Sequence, residues 1–423
     1  MKRRQFLKHA GIAAAGIPFG LGLISEEVKA KVPSGLKITG LKIFPFQGYG
    51  QSTLYVKVLT NEGITGLGEG ALWTNTSVAA LKEYEPYIIG HDPTDIEFLW
   101  RYMYQVPFWR GGVILMSAIS AIDIACWDIM GKIADLPIYK LLGGRARDKI
   151  RLYAHGGRGT PEQAAESILR IKEQGFTAMK SGPSADENRV VQQPWGLKRS
   201  VEIFKAMRDA VGDDFDIAID AHAKLTPDEC LEYANAIEPY RPMFIEEPVP
   251  PGNLDMFEWL TNRTNVPLAT GERLYTKYEF RPLIERELVT YLQPDVLHVG
   301  GITELHKIAV MAEANMIKVA PHNPNGIVST LASMHVNASC HTAVILETQR
   351  VTQPQPWQED LHYGVTISHT DGYAPLPDQP GLGVDLDEKV VQEHPRTPRT
   401  GGREYNREDS YRLNYEDGSI WEP

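Results

Sequence analysis

The chain has 423 residues, which fits two or three domains, and its 43% hydrophobic and 23% charged residues are typical of soluble globular proteins. The formal charge of −11 argues against nucleic acid as a partner, because binding to its backbone requires clustered Lys and Arg. Cys126, Cys230 and Cys340 are widely spaced and odd in number, so the sequence suggests neither a disulfide framework nor a CxxC zinc site.

Residues 1–30 have the anatomy of an export signal. Arg3-Arg4 precede Phe6-Leu7-Lys8, an apolar stretch of Ala, Gly, Ile and Leu follows, and Val28-Lys29-Ala30 offers a small-residue cleavage site. The pattern resembles a twin-arginine signal, and the apolar run is too short and glycine-rich for a stable membrane anchor. We expect an exported, periplasmic protein; the alternative is a basic, disordered N-terminus.

Residues 36–148 predict a separate N-terminal α+β capping domain. The stretch 36–70 is rich in β-branched residues and has a turn signal at Asn61-Glu62-Gly63, so it predicts a β-hairpin. Residues 76–142 have helical apolar spacing and few helix breakers, as in "LMSAISAIDIACWDIMGKIA". Strands followed by helices favour an α+β unit.

Residues 149–372 alternate short apolar strands with helical patterns. The eight candidate strands are "RLYAHGG", "GFTAMKSG", "FDIAIDAHA", "PMFIEEP", "VPLATGE", "YLQPDVLHVGG", "IKVAPHNPNG" and "TAVILETQ". Eight strand–helix units predict an α/β fold, a (β/α)8 (modified TIM) barrel. We expect the C-terminal segment, 373–423, to return to the capping domain through its Pro/Gly-rich part at 373–387 and to end in a polar tail.

Acidic residues recur at the strand ends with the period of the barrel repeat. Asp220, Glu246 and Glu272 are each 26 residues apart, about the length of one βα unit. The same phase places them at the C-terminal mouth of the barrel, where such folds carry their chemistry. Three converging carboxylates repel one another unless a cation is present, and oxygen ligands favour a hard ion such as Mg²⁺. We predict a metal site formed by these three residues.

Several motifs together resemble the enolase superfamily, in particular its mandelate racemase-like branch. They are "IDAHA", "FIEEP", "TGER", "LQPDVLHVGG", "PHNPNG", "ILETQ" and "PGLGVDLD", and the resemblance covers roughly residues 36–390. The pattern looks most like that of the galactonate dehydratase-type sugar-acid dehydratases. This resemblance implies removal of the proton α to a carboxylate, with Mg²⁺ stabilising the resulting enediolate.

The resemblance also implies the acid and base residues. His322 is predicted to be the general base, with Asp295 orienting it and raising its basicity. His222 matches the histidine that protonates the departing β-hydroxyl in the dehydratases. Glu347 matches a residue that hydrogen-bonds the enediolate or the substrate carboxylate, which requires it to hold or share a proton.

Lys180 matches the first lysine of the K-x-K motif on the second strand, but the second position is Gly182. This departure weakens a two-base racemisation and leaves Lys180 as an electrostatic partner of the substrate or the metal ligands. Four further residues at strand ends are candidates for substrate contact or for structural roles: Arg273, His298, Asn323 and His155.

Three functions stay open on the sequence. The leading hypothesis is a Mg²⁺-dependent, galactonate-like sugar-acid dehydratase that gives a 2-keto-3-deoxy acid. The second is an epimerase or cycloisomerase acting on a sugar acid through the same enediolate, and the third is a non-catalytic sugar-acid binding protein. The resemblance further implies a homo-oligomer.

Overall fold

The computed structural model describes residues 32–48, 51–70, 74–183, 195–348 and 360–395. The predicted signal at 1–30 and the polar tail after residue 395 lie outside these ranges.

The capping domain begins with a three-stranded antiparallel sheet in the order β1-β2-β3. The strands are β1 (Ile38–Gly48), β2 (Gln51–Thr60) and β3 (Thr65–Gly70). The sequence predicted a two-stranded hairpin, but the sheet has a third strand. After the turn at 61–63, "TGLGEG" folds back and pairs with β2 from Leu59↔Thr65 to Leu54↔Gly70. Gly63 in this turn has a φ of 75°, which glycine adopts without strain.

Four helices follow this sheet: α1 (Thr74–Ile88), α2 (Ile96–Gln105), α3 (Gly112–Ala134) and α4 (Ile138–Leu141). Of these, α1 and α3 pack directly on the sheet. α3 packs so closely on β3 that a Cβ at Gly66 or Gly68 would lie 1.9 Å from a carbonyl oxygen of α3. In length and composition α3 could span a membrane, but 72% of its most apolar window is buried inside the protein. It is therefore the core helix of the capping domain.

Eight parallel strands form the barrel, as predicted. They are β4 (Lys149–His155), β5 (Ala178–Ser181), β6 (Asp216–Asp220), β7 (Ile245–Glu246), β8 (Leu268–Thr270), β9 (Tyr291–Leu292), β10 (Lys318–Val319) and β11 (Leu346–Glu347). Neighbours in sequence pair from β4 to β10, and β11 pairs with β4. A bridge between Val319 and Ala343 links β10 to the chain leading into β11, so the ring is closed.

Helices follow seven of these strands on the outside of the barrel. They are α5 (Pro161–Glu173), α6 (Trp195–Val211), α7 (Pro227–Ile237), α8 (Leu254–Thr261), α9 (Thr276–Glu285), α10 (Gly301–Glu313) and α11 (Ile327–Ser339). α5 and α7 begin with capping boxes at Thr160 and Thr226, each followed by Pro at the first helical position. These local signals fix where the two helices start.

The barrel interior has an apolar layer below a polar one. The apolar layer is a cluster of Tyr153, Ala178, Ala218, Phe244, Ala269, Tyr291, Ala320 and Ile345. Two residues further along each strand, at the next inward-facing position, lie His155, Lys180, Asp220, Glu246, Gly271, Gln293, His322 and Glu347. Because side chains alternate along a strand, seven of these eight positions, all but Gly271, place a polar side chain at the C-terminal mouth of the barrel.

The C-terminal segment contacts both domains. Its elements are β12 (His362–Gly364), β13 (Tyr373–Pro375), β14 (Val384–Leu386) and α12 (Glu388–Glu393). β13 pairs antiparallel with β4 of the barrel. Lys57 of the capping sheet lies 2.9 Å from Asp385 and 3.2 Å from Glu388.

Candidate active site

The three predicted metal ligands lie at the ends of adjacent strands. Asp220 and Glu246 are the last residues of β6 and β7 and are register partners. Glu272 follows two residues after β8, beyond Gly271, whose φ of 150° and close approach to the backbone of Gln293 require glycine. Glu246 is fully buried.

Lys180 is the cation that Asp220, Glu246 and Glu347 share. Its Nζ lies 2.8 Å from both oxygens of Glu246, 3.3 Å from Asp220 Oδ2 and 3.4 Å from Glu347 Oε1. Burial lowers the pKa of the Lys180 ammonium, but Glu246, Glu347 and Asp220 together raise it well above its usual value. Lys180 therefore carries a charge and is an electrostatic partner of the acids, in agreement with the absence of a second lysine at position 182.

One ammonium does not balance this cluster. Burial raises the pKa of Glu246, and Asp220, Glu347 and Glu272 raise it further, against the opposing effect of Lys180. A divalent cation would relieve this repulsion, and carboxylate oxygens are the ligands that Mg²⁺ prefers. The donor set thus fits the ion. Among the described residues, the group whose possible ligand atoms lie within 4.8 Å of one another is Glu246, His322 and Glu347, which shares only Glu246 with the predicted ligand set.

His322 connects the predicted base to the metal ligands. Its Nδ1 lies 2.8 Å from Asp295 Oδ2, and its Nε2 lies 2.8 Å from Glu272 Oε2. Burial lowers the pKa of His322, but Glu272, Glu347 and Asp295 raise it well above its usual value. Asp295 is fully buried and also accepts hydrogen bonds from the Leu297 backbone (2.7 Å) and from Asn325 Nδ2 (2.9 Å). This network fixes the imidazole ring.

His222 reaches Asp220 from a turn beyond the strand. β6 ends at Asp220, and His222 and Ala223 adopt left-handed backbone conformations with φ of 49° and 52°. The turn brings His222 Nε2 to 3.0 Å from Asp220 Oδ2, and its backbone N–H donates to Asp220 Oδ1. Two consecutive non-glycine residues with positive φ are strained, which is common at functional sites.

Glu347 lies at the centre of a second network. Its Oε1 is 2.5 Å from His155 Nε2, and its Oε2 accepts a hydrogen bond from the Asn323 backbone (3.0 Å) and a longer one from the Tyr153 hydroxyl (3.4 Å). Burial raises the pKa of Glu347, but Lys180, His322 and His155 hold it well below its usual value. Glu347 is therefore ionised in this state.

The four substrate-contact candidates have different surroundings. Arg273 is half-exposed at the rim, where its guanidinium pairs with Glu247. His298 is partly buried, with its side chain 15% exposed and Nδ1 3.1 Å from Ser117 Oγ. The Asn323 amide is fully buried and bonded to Thr330, Ser329 and the Glu347 backbone. His155 and Asn323 both contact Glu347, and Arg273 Nε lies 4.0 Å from Glu272 Oε1. Substrate contact stays a prediction for all four residues.

Family comparison decides which fold family this architecture represents. Residues 46–143 match the mandelate racemase / muconate lactonizing enzyme N-terminal domain, and residues 163–390 match the enolase C-terminal domain-like family. The chain belongs to the enolase superfamily. The resemblance predicted from the sequence motifs is confirmed.

Relatives in this superfamily match most of the chain. A D-galactonate dehydratase from Variovorax paradoxus (strain S110) is 38% identical over 352 residues, which is 82% of this chain and 91% of that protein. The structure of an enolase from Pantoea ananatis with bound D-gluconate and Mg is 30% identical, with a TM-score of 0.82 and coverage of 92% of this chain and 100% of that one. A 3,6-anhydro-D-galactonate cycloisomerase from Zobellia galactanivorans is 28% identical, with a TM-score of 0.77 and coverage of 85% and 100%.

Sequence reasoning missed several residues of this superfamily site. Glu247, directly after Glu246, accepts from the Gly271 backbone and from Thr270 and Arg273, so it shapes the chain that leads to Glu272. Gln293 is buried inside the barrel, and its amide has no partner among the described residues. Tyr291 faces the barrel interior, and because side chains alternate along a strand, Gln293 two residues later is expected to face inward as well. No sequence signal marks the contact of Asn325 with Asp295.

Proposed function

We propose that this protein is a Mg²⁺-dependent sugar-acid dehydratase. It acts on a galactonate-like aldonate and gives a 2-keto-3-deoxy acid. The observation that carries this proposal is the placement of two histidine–aspartate pairs, His322–Asp295 on β10 and β9 and His222–Asp220 on β6. β6 and β10 are four strands apart in a ring of eight, so a base and an acid face each other across the carboxylate cluster. The relatives named for galactonate dehydration and for bound gluconate support the same substrate class.

Each residue of the cluster has a distinct task in this reaction. Once substrate replaces the contact with Glu272, neutral His322 takes the proton α to the substrate carboxylate at Nε2, while Asp295 accepts a hydrogen bond from Nδ1–H and fixes the ring. His222 gives a proton to the β-hydroxyl, because hydroxide is a poor leaving group; such general acid catalysis contributes roughly 10²–10⁴-fold. Lys180 Nζ and Glu347 Oε1, 3.4 Å apart, line the floor of the site where the substrate carboxylate binds. Because Glu347 is ionised without substrate, it must gain or share a proton when that carboxylate binds beside it.

Asp220, Glu246 and Glu272 would hold the Mg²⁺. A bound Mg²⁺ supplies Lewis-acid stabilisation for the negative charge that develops on the substrate carboxylate. The three side chains now contact Lys180, His222 and His322, so their oxygens become available to an ion as these contacts are exchanged.

A cycloisomerase is the second candidate. It is favoured by the likeness to the 3,6-anhydro-D-galactonate cycloisomerase, since the same α-proton removal can start either reaction. Gly182, directly after β5, leaves no second lysine base, which disfavours an epimerase that uses a Lys/His pair.

A panel of aldonates, uronates and anhydro-sugar acids, incubated with enzyme and Mg²⁺, distinguishes these functions. Dehydration gives a 2-keto-3-deoxy acid, detected with semicarbazide, and NMR in D₂O shows solvent deuterium in the product. A ring-opened isomer without dehydration would assign the cycloisomerase. Binding without turnover, unchanged in His322→Ala, would indicate a non-catalytic binding protein.

We also propose that residues 1–30 direct export of the folded protein to the periplasm. The twin-arginine pattern of Arg3 and Arg4 supports this. Residues 1–30 fused to a reporter should be exported, and Arg3→Lys with Arg4→Lys should block export while preserving the charge. Unchanged export of the double-lysine variant would contradict the assignment. We further propose a homo-oligomer, which light scattering on the purified protein tests.

A further inference from the structure

Glu69 is a buried acid of the capping domain that binds the barrel. It lies on β3, its side chain is 2% exposed, and it is 257 residues away in sequence from the group it contacts. Its Oε1 accepts a hydrogen bond from the Gly326 backbone and its Oε2 accepts one from the Ser329 backbone, both at 2.9 Å. These amides belong to the N-terminus of α11, where backbone N–H groups have no partner within the helix and a negative charge is favoured.

The same helix end carries the predicted base. The β10–α11 loop, residues 320–326, contains His322 and enters α11 directly. The Asn323 side chain is bonded to Ser329 and Thr330 in the first turn of α11, and Asn325 donates to the Asp295 oxygen that contacts His322. A shift of the helix end would therefore move the loop and its contacts with His322.

The fit around Glu69 leaves no room for another atom. A Cβ built on Gly326 would lie 2.7 and 2.9 Å from the two Glu69 oxygens and 2.9 Å from the Tyr55 hydroxyl. Gly326 has a φ of −84°, which any residue adopts. A larger residue at this position is therefore excluded by the close contact with Glu69 and Tyr55, and not by backbone strain.

We propose that Glu69 is a positioning residue for catalysis: from the capping domain it fixes the N-terminus of α11 and, through the β10–α11 loop, the place of His322. The catalytic part of this inference rests on the proposed function.

The test compares three variants of the full-length enzyme. Glu69→Gln keeps the shape but places an N–H₂ against a backbone N–H. Gly326→Ala keeps the carboxylate and displaces it. The matched control is Asp128→Asn, a second fully buried acid of the capping domain. Asp128 accepts from the Leu67 and Leu382 backbones and from Lys132, and among the described residues it has no hydrogen bond or ion pair to α11.

Two readouts separate positioning from stability. In Glu69→Gln and Gly326→Ala, amide hydrogen exchange of residues 326–330 should rise at least tenfold. With the acid identified by the panel, kcat per folded enzyme should fall about 10–100-fold with KM within about threefold, because small displacements of a catalytic group are costly. Asp128→Asn should show neither change.

Unchanged amide hydrogen exchange of residues 326–330 in a folded Glu69→Gln variant would overturn the inference. Raised exchange with a wild-type kcat would also overturn it, because Glu69 would then have a structural role only. If Glu69→Gln does not fold, Gly326→Ala decides by the same criteria. If the wild-type enzyme turns over no acid, the proposed function fails, and the exchange measurement alone still decides whether Glu69 fixes this loop.

Discussion

His322 has both ring nitrogens engaged, one by Asp295 and the other by Glu272, each at 2.8 Å. The Nδ1 contact is what a general base needs, since a buried aspartate fixes the ring and stabilises the imidazolium that forms. The Nε2 contact is the one that substrate must replace. The two contacts assign the two nitrogens different tasks.

His322→Asn should reduce kcat by roughly 10²–10⁴-fold or more, because the base is lost, while Mg²⁺ binding survives. Asparagine can still hydrogen-bond Asp295, so the loop should keep its structure. Steady-state kinetics and isothermal titration calorimetry with Mg²⁺ measure the two effects. His341→Asn, at an exposed position, is the matched control and should behave as wild type. Turnover within tenfold of wild type would exclude His322 as the base.

Lys180 is the residue whose removal most unbalances the site. Lys180→Met leaves Asp220, Glu246 and Glu347 without their shared ammonium, and losing one partner of a buried ion pair costs about 3–5 kcal/mol. The metal-free variant should therefore melt at a lower temperature, and Mg²⁺ should stabilise it more than it stabilises wild type. Lys205→Met, which removes an exposed partner of Asp209, should show neither effect. Equal Mg²⁺-induced shifts in Lys180→Met and wild type would contradict this.

At the scale of elements, α3 of the capping domain contacts the start of α10. Asp123 on α3 accepts a hydrogen bond from the Thr303 backbone at 3.1 Å and is bonded to the Thr303 hydroxyl, while Trp127 Nε1 donates to the same hydroxyl at 2.9 Å. Burial raises the pKa of Asp123 to about 7; Thr303 and Lys307 oppose this shift, and Glu304 adds to it. The contact therefore depends on pH.

The direction of this pH dependence follows from which state of the chain, folded or unfolded, binds the proton. Between about pH 4 and pH 7 the folded chain holds a proton on Asp123 that the unfolded chain has released, so the free energy of unfolding falls as pH rises through this window. Asp123→Asn cannot titrate. The free energy of unfolding of Asp123→Asn, minus that of wild type at the same pH, should therefore rise by up to about 4 kcal/mol between about pH 4 and pH 7. Above about pH 7 this difference should stay constant. Urea unfolding at pH 4, 5.5, 7 and 8 measures this difference. A difference that does not vary with pH would contradict it, and Asp209→Asn on the exposed face of α6 is the control.

The sequence predicted the barrel strands and the cluster at their ends because both depend on a local pattern that recurs on seven of the eight strands, with Gly271 as the exception. An inward-facing apolar residue followed two positions later by a polar one places Glu246 after Phe244 and Glu347 after Ile345. What could not be predicted depends on loops and on distant contacts. The third strand of the capping sheet required knowledge of its pairing with β2, and the pairing of Arg273 with Glu247 depends on the positive φ of Glu247, 45°.

At the scale of the whole molecule, the C-terminal segment joins the capping sheet to the barrel. β13 pairs with β4, and further along the chain Asp385 and Glu388 both contact Lys57 on β2. Lys57 is largely buried, and although burial lowers its pKa, Asp385 and Glu388 raise it above its usual value. Because one short segment is bonded to both domains, we expect the domains to unfold as one cooperative unit.

Lys57→Met tests this link. Removing a charged, hydrogen-bonded partner from two acids should cost about 1.5–3 kcal/mol, and proteases should cut residues 360–395 faster. Lys42→Met is the matched control: Lys42 also contacts Glu388 at 2.9 Å, but it is exposed, and such pairs contribute at most about 1 kcal/mol. Calorimetry and limited proteolysis of both variants measure the difference. If the segment is a passive tail, the two lysine variants will melt and be cut alike; if it joins the domains, only Lys57→Met will lower the single melting transition.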